Sequence, residues 1–335
     1  MALMDCLGRN VSEHYCTWSE ISCNEPGSVI SIELDSNFGS GPYDLGNLDF
    51  SSFSNLARLI IRGWLLEGRI PKQIGMLSNL AHLSLRGNYL NGTLPVSLTN
   101  LTKLVVLDLY ENNFTSTIPS QIGNLKNLLH LDLSQNQFSG LIPSSLGSMV
   151  NLTYLDLTLN NFIGSIPSSL ELSNLQKLMV LNLADNDLGG SIPLNITNLK
   201  YLEHIDLSKN RMTGVVITLK GCPKLHYLDL SSNNFVGEAL TYGDFLFNLW
   251  FLNQSENHLT TTVPTDPPNT ALSNRLFHHL IIILPVIVGI CFLLLGWVLL
   301  AHRSQGYKDQ FELANFKTWR CVAFDIEIMT GTICV

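Results

Sequence analysis

From Leu128 onward the chain reads apolar at the first, fourth, sixth and eleventh positions of a block, polar between them, and then starts again. Equivalent blocks begin at Val29, Leu56, Leu80, Leu104, Leu128, Leu152, Leu178, Leu202, Leu225 and Leu249. Most steps are 24 residues, with 27 at the first, 26 between Leu152 and Leu178, and 23 between Leu202 and Leu225. Within a block Leu131 and Leu133 stand two apart, which predicts a short strand with both on one side and Asp132 and Ser134 on the other. A ten-residue stretch of this kind has one apolar side and nothing local to cover it. Neighbouring blocks must therefore stack, and stability becomes a sum of unit and interface contributions.

Three further positions are fixed by the turn that follows each strand. Asn136 supplies an acceptor oxygen and two amide hydrogens to backbone groups left unpaired there. Asn recurs at 37, 88, 112, 160, 186, 210, 233 and 257, which predicts a ladder, interrupted where Trp64 holds the equivalent place. Gly140 supplies a positive φ and Pro143 a fixed corner. The Gly-x-Ile/Leu-Pro form recurs at Gly68–Pro71, Gly92–Pro95, Gly164–Pro167 and Gly190–Pro193. The blocks at Leu202 and Leu225 carry Val216-Ile217 and Ala239-Leu240 instead, so that end is expected to be less regular.

The pattern L-x-x-L-x-L-x-x-N-x-L is that of the leucine-rich repeat. In the fuller form found here it resembles the plant receptor-like kinases and receptor-like proteins, over residues 10 to 303. The expected fold is an α/β repeat solenoid, a superhelix with a parallel β concave face. The resemblance identifies His14–Leu34 as similar to that family's N-terminal cap and implies a disulfide between Cys16 and Cys23. No corresponding pair closes the C-terminal side. Cys6 and Cys222 read as unpaired, because roughly seven stacked units at ~4.8 Å would hold them apart.

Composition adds a membrane to this picture. Charged residues make up 14% of the 335, and mean hydropathy is +0.21. Residues 280–301 run for 22 positions without a charge, ~33 Å as a helix, which predicts a transmembrane helix. Pro285 within it is tolerable. Arg303, Lys308, Lys317 and Arg320 follow the span closely, whereas only Arg275 lies close before it, so the repeats are expected outside and the tail in the cytoplasm. Seven N-x-[ST] triplets, at Asn10, Asn91, Asn100, Asn113, Asn151, Asn195 and Asn253, all precede the span, as glycosylation of an exported surface requires. The N-terminus lacks the basic and apolar regions of a signal peptide, and truncation of the sequence is the expected reason. The domain reading is then 1–28 cap region, 29–264 repeats, 265–279 linker, 280–301 span and 302–335 tail.

Catalysis is not expected. The stretch Phe316–Gly331 resembles the lead into that family's kinase, but a Gly-rich loop with its Lys, an H-R-D loop and a D-F-G are all absent from these 335 residues. The Gly39-x-Gly41 pair reads as a loop. No C-x-x-C metal spacing occurs, and neither a cofactor nor a nucleic acid is implied. What remains is recognition by side chains two, four and six positions after each unit's first apolar residue. The second column runs Arg58, His82, Val106, His130, Tyr154, Val180, His204, Tyr227, Phe251; the fourth is rich in Asp, and the sixth begins Arg62, Arg86, Tyr110. Asp and Ser in these columns read as consensus residues solvating a strand face. Aromatic residues and Arg dominate binding hot spots, which selects Arg62, Arg86, Tyr110, His130, Tyr154 and Tyr227 as ligand-binding candidates.

The expected function is a cell-surface receptor-like protein, single-pass in the plasma membrane. It would bind an extracellular peptide, protein or wall ligand and signal through a kinase-bearing co-receptor. A fragment of a receptor serine/threonine kinase and a soluble wall-protein inhibitor are the alternatives, the latter opposed by the uncharged span.

Overall fold

The computed structural model describes residues 15–35, 43–167, 175–216, 219, 222–241 and 249–260. Its frame is an 11-stranded sheet of strands Ile21–Cys23, Val29–Asp35, Arg58–Arg62, His82–Ser84, Val106–Asp108, His130–Asp132, Tyr154–Asp156, Val180–Asn182, His204–Asp206, Tyr227–Asp229 and Phe251–Asn253, paired in that order. The first pair is antiparallel, and every later pair is parallel. Parallel neighbours need a crossover between them, and here each repeat supplies it.

The return path differs from the expected α/β form. It contains 3₁₀ helices, Lys72–Met76, Val96–Asn100, Ser120–Asn124, Ser144–Ser148 and Leu194–Asn198, and among the described residues there is no α-helix. Each of these five begins after a proline held in extended geometry, at Pro71, Pro95, Pro119, Pro143 and Pro193. The proline carbonyl accepts the first bond, as from Ile74 N to Pro71 O at 3.0 Å. Five residues suffice for a 3₁₀ turn and are too few for a stable α-helix. Close stacking of these helices requires glycine: a Cβ at Gly123 would meet Ser145 O at 2.4 Å.

A second sheet of seven strands, from Tyr43–Asp44 to Asp187–Gly189, follows the turns, and a third of three strands contains Thr213–Val215, Asn234–Glu238 and His258–Thr260. The division falls at the Leu202 block, where Val216-Ile217 stands in place of Ile-Pro. The expected irregularity is confined there, because the long sheet runs through it in register, Asp206 opposite Asp229. Val216 and Leu240 are buried in place of the missing Ile-Pro.

Between the sheets and the 3₁₀ helices lies one continuous core in which the repeat leucines are fully buried. Phe114, Phe138 and Phe162 form a spine through it, with successive ring centroids 5.8 and 6.3 Å apart and planes within 13° and 9°. The Asn ladder is present at 88, 112, 136, 160, 186, 210, 233 and 257; Asn37 lies outside the described residues. At Trp64 it is interrupted, and the buried indole lies 6.0 Å from Tyr43 while Asn88 Oδ1 accepts the N–H of both Trp64 and Leu66. Cys16 and Cys23 are joined in a disulfide, and Cys222 is free and buried. Residues 280–301 lie outside the described residues; among those described, no helix is long and apolar enough to cross a membrane.

Candidate ligand-binding face

Alternation along each strand sends Leu131-type residues inward and leaves the residues two, four and six after each unit's leading apolar residue on the opposite face of the long sheet. Because the pairing register is constant, equivalent side chains line up across strands, His82 with Val106, His130, Tyr154, Val180, His204, Tyr227 and Phe251. The row divides into stacks. His130 and Tyr154 lie 4.2 Å apart and nearly parallel; His204, Tyr227 and Phe251 stack at 4.1 and 4.3 Å. Val180 separates the two groups. Trp250 meets Tyr227 and Phe251 edge-on at 5.7 and 6.3 Å and is 67% exposed.

Toward the N-terminal end the face is built from guanidinium groups. Arg86 covers the Tyr110 ring at 4.3 Å, a cation–π contact. Arg62 donates to Ser84 Oγ at 3.1 Å and pairs with Asp35 at 3.6 Å, and Arg58 pairs with Glu33 at 2.8 Å. The six candidate residues therefore do not converge on one pocket. Arg86 meets Tyr110, His130 meets Tyr154, and Tyr227 meets His204, Phe251 and Trp250. The sequence columns contained His204 and Phe251. Trp250 sits one position after the unit's leading residue, outside the columns considered, and its only signal was an exposed aromatic beside them.

The fourth-position row contains the carboxylates. Asp108, Asp132 and Asp156 occupy successive strands in register. Asp132 Oδ1 accepts the N–H of Ser134 at 3.0 Å, and the same turn closes Asp156 with Thr158, Asp206 with Ser208 and Asp229 with Ser231. These are local Asx turns that end the strands. They leave the second oxygen for neighbours: Asp156 Oδ2 accepts from Tyr154 at 3.1 Å and from Asn182 at 3.0 Å. Burial pushes Asp132 up to about 6, the adjacent Asp156 and Asp108 adding to the rise and the Ser134 hydrogen bonds opposing it. Burial likewise raises Asp206 and Tyr154 and pushes Tyr227 up to about 12. His130 and His204 are lowered by the same loss of water, against the pull of nearby carboxylates. At neutral pH both rings are thereby biased toward the neutral form, suited to stacking.

The sequons occupy other surfaces as well. Asn91 and Asn113 are exposed and opposite each other on the second sheet. Asn100 ends one 3₁₀ helix, Asn195 lies within another, Asn253 is in the last strand of the long sheet, and Asn10 is outside the described residues. Asn151 lines an open cleft of about 750 Å³ with Val150, Thr153, Gln176, Lys177, Met179 and Tyr201, on the flank where the chain enters the strands. Among the described residues no group of three or more His, Cys, Asp or Glu side chains is placed to hold a metal ion.

Family models described as leucine rich repeat match residues 79–101, 102–162 and 176–235. Among solved structures, the plant peptide hormone receptor RGFR1 in complex with RGF2 is 33% identical, over 73% of this chain and 38% of that one, with a TM-score of 0.67. The leucine-rich-repeat ectodomain of the Arabidopsis thaliana membrane receptor kinase GASSHO1/SCHENGEN3, in complex with CASPARIAN STRIP INTEGRITY FACTOR 2, is 31% identical, over 76% and 33%, with a TM-score of 0.67. A plant ice-binding protein is 27% identical, over 79% and 87%, with a TM-score of 0.68. The chain thus spans 38% and 33% of the two receptor structures. No curated protein matches the sequence.

Proposed function

The chain is a leucine-rich-repeat protein with plant receptor ectodomains among its structural neighbours, and from that premise we propose that it binds an extracellular peptide, protein or wall ligand at the cell surface. The observation that carries the reading is the in-register, half-buried row of the long sheet, where His130–Tyr154 and His204–Tyr227–Phe251 present stacked rings beside a row of carboxylates. Rings of this kind bring large contact area with few rotors to freeze. An extended ligand lying across the strands would meet Arg62, Arg86 and Tyr110 first, then His130 and Tyr154, then Tyr227. In this proposal the repeats face outward, residues 280–301 span the plasma membrane, and the tail is cytoplasmic. Signalling passes through a kinase-bearing co-receptor.

Calorimetry of the full chain in detergent with a panel of synthetic secreted plant peptides and wall oligosaccharides tests this. A ligand that binds and is lost on both Tyr154→Ala and Tyr227→Ala supports the face; one whose affinity survives both substitutions rejects it.

Ice binding is a second reading, supported by the coverage of 87% of the ice-binding protein. Ice requires a flat array of one repeated chemistry, whereas the outward positions of the second sheet mix Tyr89, Asn113, Gln137 and Leu141. Inhibition of ice recrystallisation by the purified chain would favour that reading over the first.

A further inference from the structure

The cleft at Asn151 is separate from the proposed ligand face, and its composition is unusual for an open flank. Val150, Met179 and Tyr201 are 46%, 39% and 51% exposed and form an apolar wall, and Tyr201 stands in a place where the other repeats from Leu56 onward hold Asn or Lys. Asn79 and Asn127 in those places donate to the backbone of the preceding turn, at Ser54 O and Thr102 O. Asn151 does the same, Nδ2 to Lys126 O at 2.9 Å, while its Oδ1 accepts from Lys177 Nζ at 2.8 Å. Asn151 is also the acceptor of an Asn-Leu-Thr sequon, and the Thr153 of that sequon lines the same cleft. Tyr201 is held in place by Lys224, whose Nζ lies 4.4 Å over the ring.

We propose that this cleft is the berth of the chain's own N-linked glycan: Asn151 carries it, and its first N-acetylglucosamine lies against Tyr201 and Met179. The volume falls in the range of small-molecule sites, roughly 300–1,000 Å³, and the lining has their character, an apolar wall with a few polar groups. The apolar face of a pyranose ring fits such a wall, and its hydroxyls and acetamide reach Lys177 and Gln176. Only one Nδ2 hydrogen is engaged, by Lys126 O, so the other is replaceable without breaking that bond. In the attachment step Nδ2 attacks C1 of the first sugar of a lipid-diphosphate-linked oligosaccharide. The N–C1 bond forms, the C1–O bond to the diphosphate breaks, and the Nδ2 proton and lipid diphosphate leave. Once tethered, the sugar is presented at an effective concentration near millimolar, so a shallow site suffices to hold it. Asn91 and Asn113 are exposed on the outward face of the second sheet, away from this cleft, and in this proposal glycans there project into water.

The proposal rests on the exterior placement of the repeats, not on the ligand face. The test expresses the full chain behind a supplied signal peptide in a glycosylating eukaryotic host and maps sequon occupancy by peptide mass spectrometry. Release by an endoglycosidase that cuts between the two core N-acetylglucosamines is then timed on folded and denatured protein. Asn151 should be occupied and released roughly tenfold more slowly than Asn91 or Asn113 when folded, and at the same rate when denatured. Tyr201→Ala and, separately, Met179→Ser should remove the protection and leave occupancy unchanged. An unmodified Asn151 beside a modified Asn91 or Asn113 overturns the berth and leaves exterior placement standing. Equal release rates, or protection that survives both variants, overturn it as well. A chain with no sequon modified overturns the berth and the exterior placement together.

Discussion

Asn136 Oδ1 accepts the backbone N–H of Phe114 at 3.1 Å, tying the turn of one repeat to the strand of the repeat before it. Its Nδ2 donates to Leu109 O in that earlier repeat and to Leu133 O and Ser134 O in its own. Asn136→Ala leaves those buried groups unpaired at roughly 1–3 kcal/mol. Thermal unfolding followed by circular dichroism should show a lower Tm and a broader transition, since coupling between repeats is what the side chain supplies. An unchanged melting curve would remove the ladder argument.

The turn before each proline needs a positive φ, and one repeat meets that need without glycine. Ser116 has φ +73°, where its counterparts Gly92 and Gly140 have +76° and +77°. The left-handed conformation costs an L-residue about 1–2 kcal/mol, and glycine's extra entropy returns about half of that. Ser116→Gly should therefore stabilise the protein by up to about 1 kcal/mol. Gly140→Ala should destabilise it, because its Cβ would also meet Thr117 Cγ2 at 2.7 Å. Chemical denaturation of both variants checks the opposite signs.

Asp132 makes stability depend on pH in an unusual direction for a carboxylate. Its folded-state value of about 6 lies above the ordinary 3.8, so the folded protein holds the proton more tightly than the unfolded chain. The contribution is fully present below pH 3.8 and is lost as pH rises through about 6. Asp132→Asn keeps an acceptor for Ser134 and removes the charge. It should flatten the stability profile across that window and gain on the order of 2 kcal/mol at pH 7. A variant whose profile parallels the wild type would assign the slope to other groups.

The aromatic stack offers a test that needs no ligand. His204 and Tyr227 lie 4.1 Å apart with planes 8° from parallel. A double-mutant cycle with His204→Ala and Tyr227→Ala should return a coupling of about 0.5–1.5 kcal/mol. Coupling near zero would mean that the rings are adjacent without being held, and would weaken the preorganised face.

Much of this was readable from the chain because a repeat states each rule many times. The strand positions, the inward leucines, the Asn ladder and the Trp64 interruption follow from periodicity and from the hydrogen-bonding capacity of Asn. The helical side was not legible, since five residues between proline and the next leucine leave too little pattern to separate α from 3₁₀. The positive φ at Glu111, Gln135, Leu159 and Lys209 was also hidden, because those residues carry no conformational signature; the parallel ladder imposes it, as in the bond from Gln135 N to Thr158 O. For the candidate face the rows were legible and the pairings were not. Which rings stack depends on register, and Trp250 enters from a position that periodicity assigns to no row.

The phenylalanine spine makes length a discrete variable. Phe114, Phe138 and Phe162 recur at intervals of 24 residues, so excising or duplicating one whole interval returns the same ring to the same neighbour. Each such event changes the sheet by one strand, about 4.8 Å, and leaves every row in register. A single-residue change inside a strand has no such solution, because it turns the following leucines away from the core, whereas the return path absorbs one: the 23-residue step from Leu202 to Leu225 keeps Asp206 opposite Asp229. Reach along the sheet is therefore adjusted in whole modules, and a lineage can retune the size of what it grips without designing a new interior.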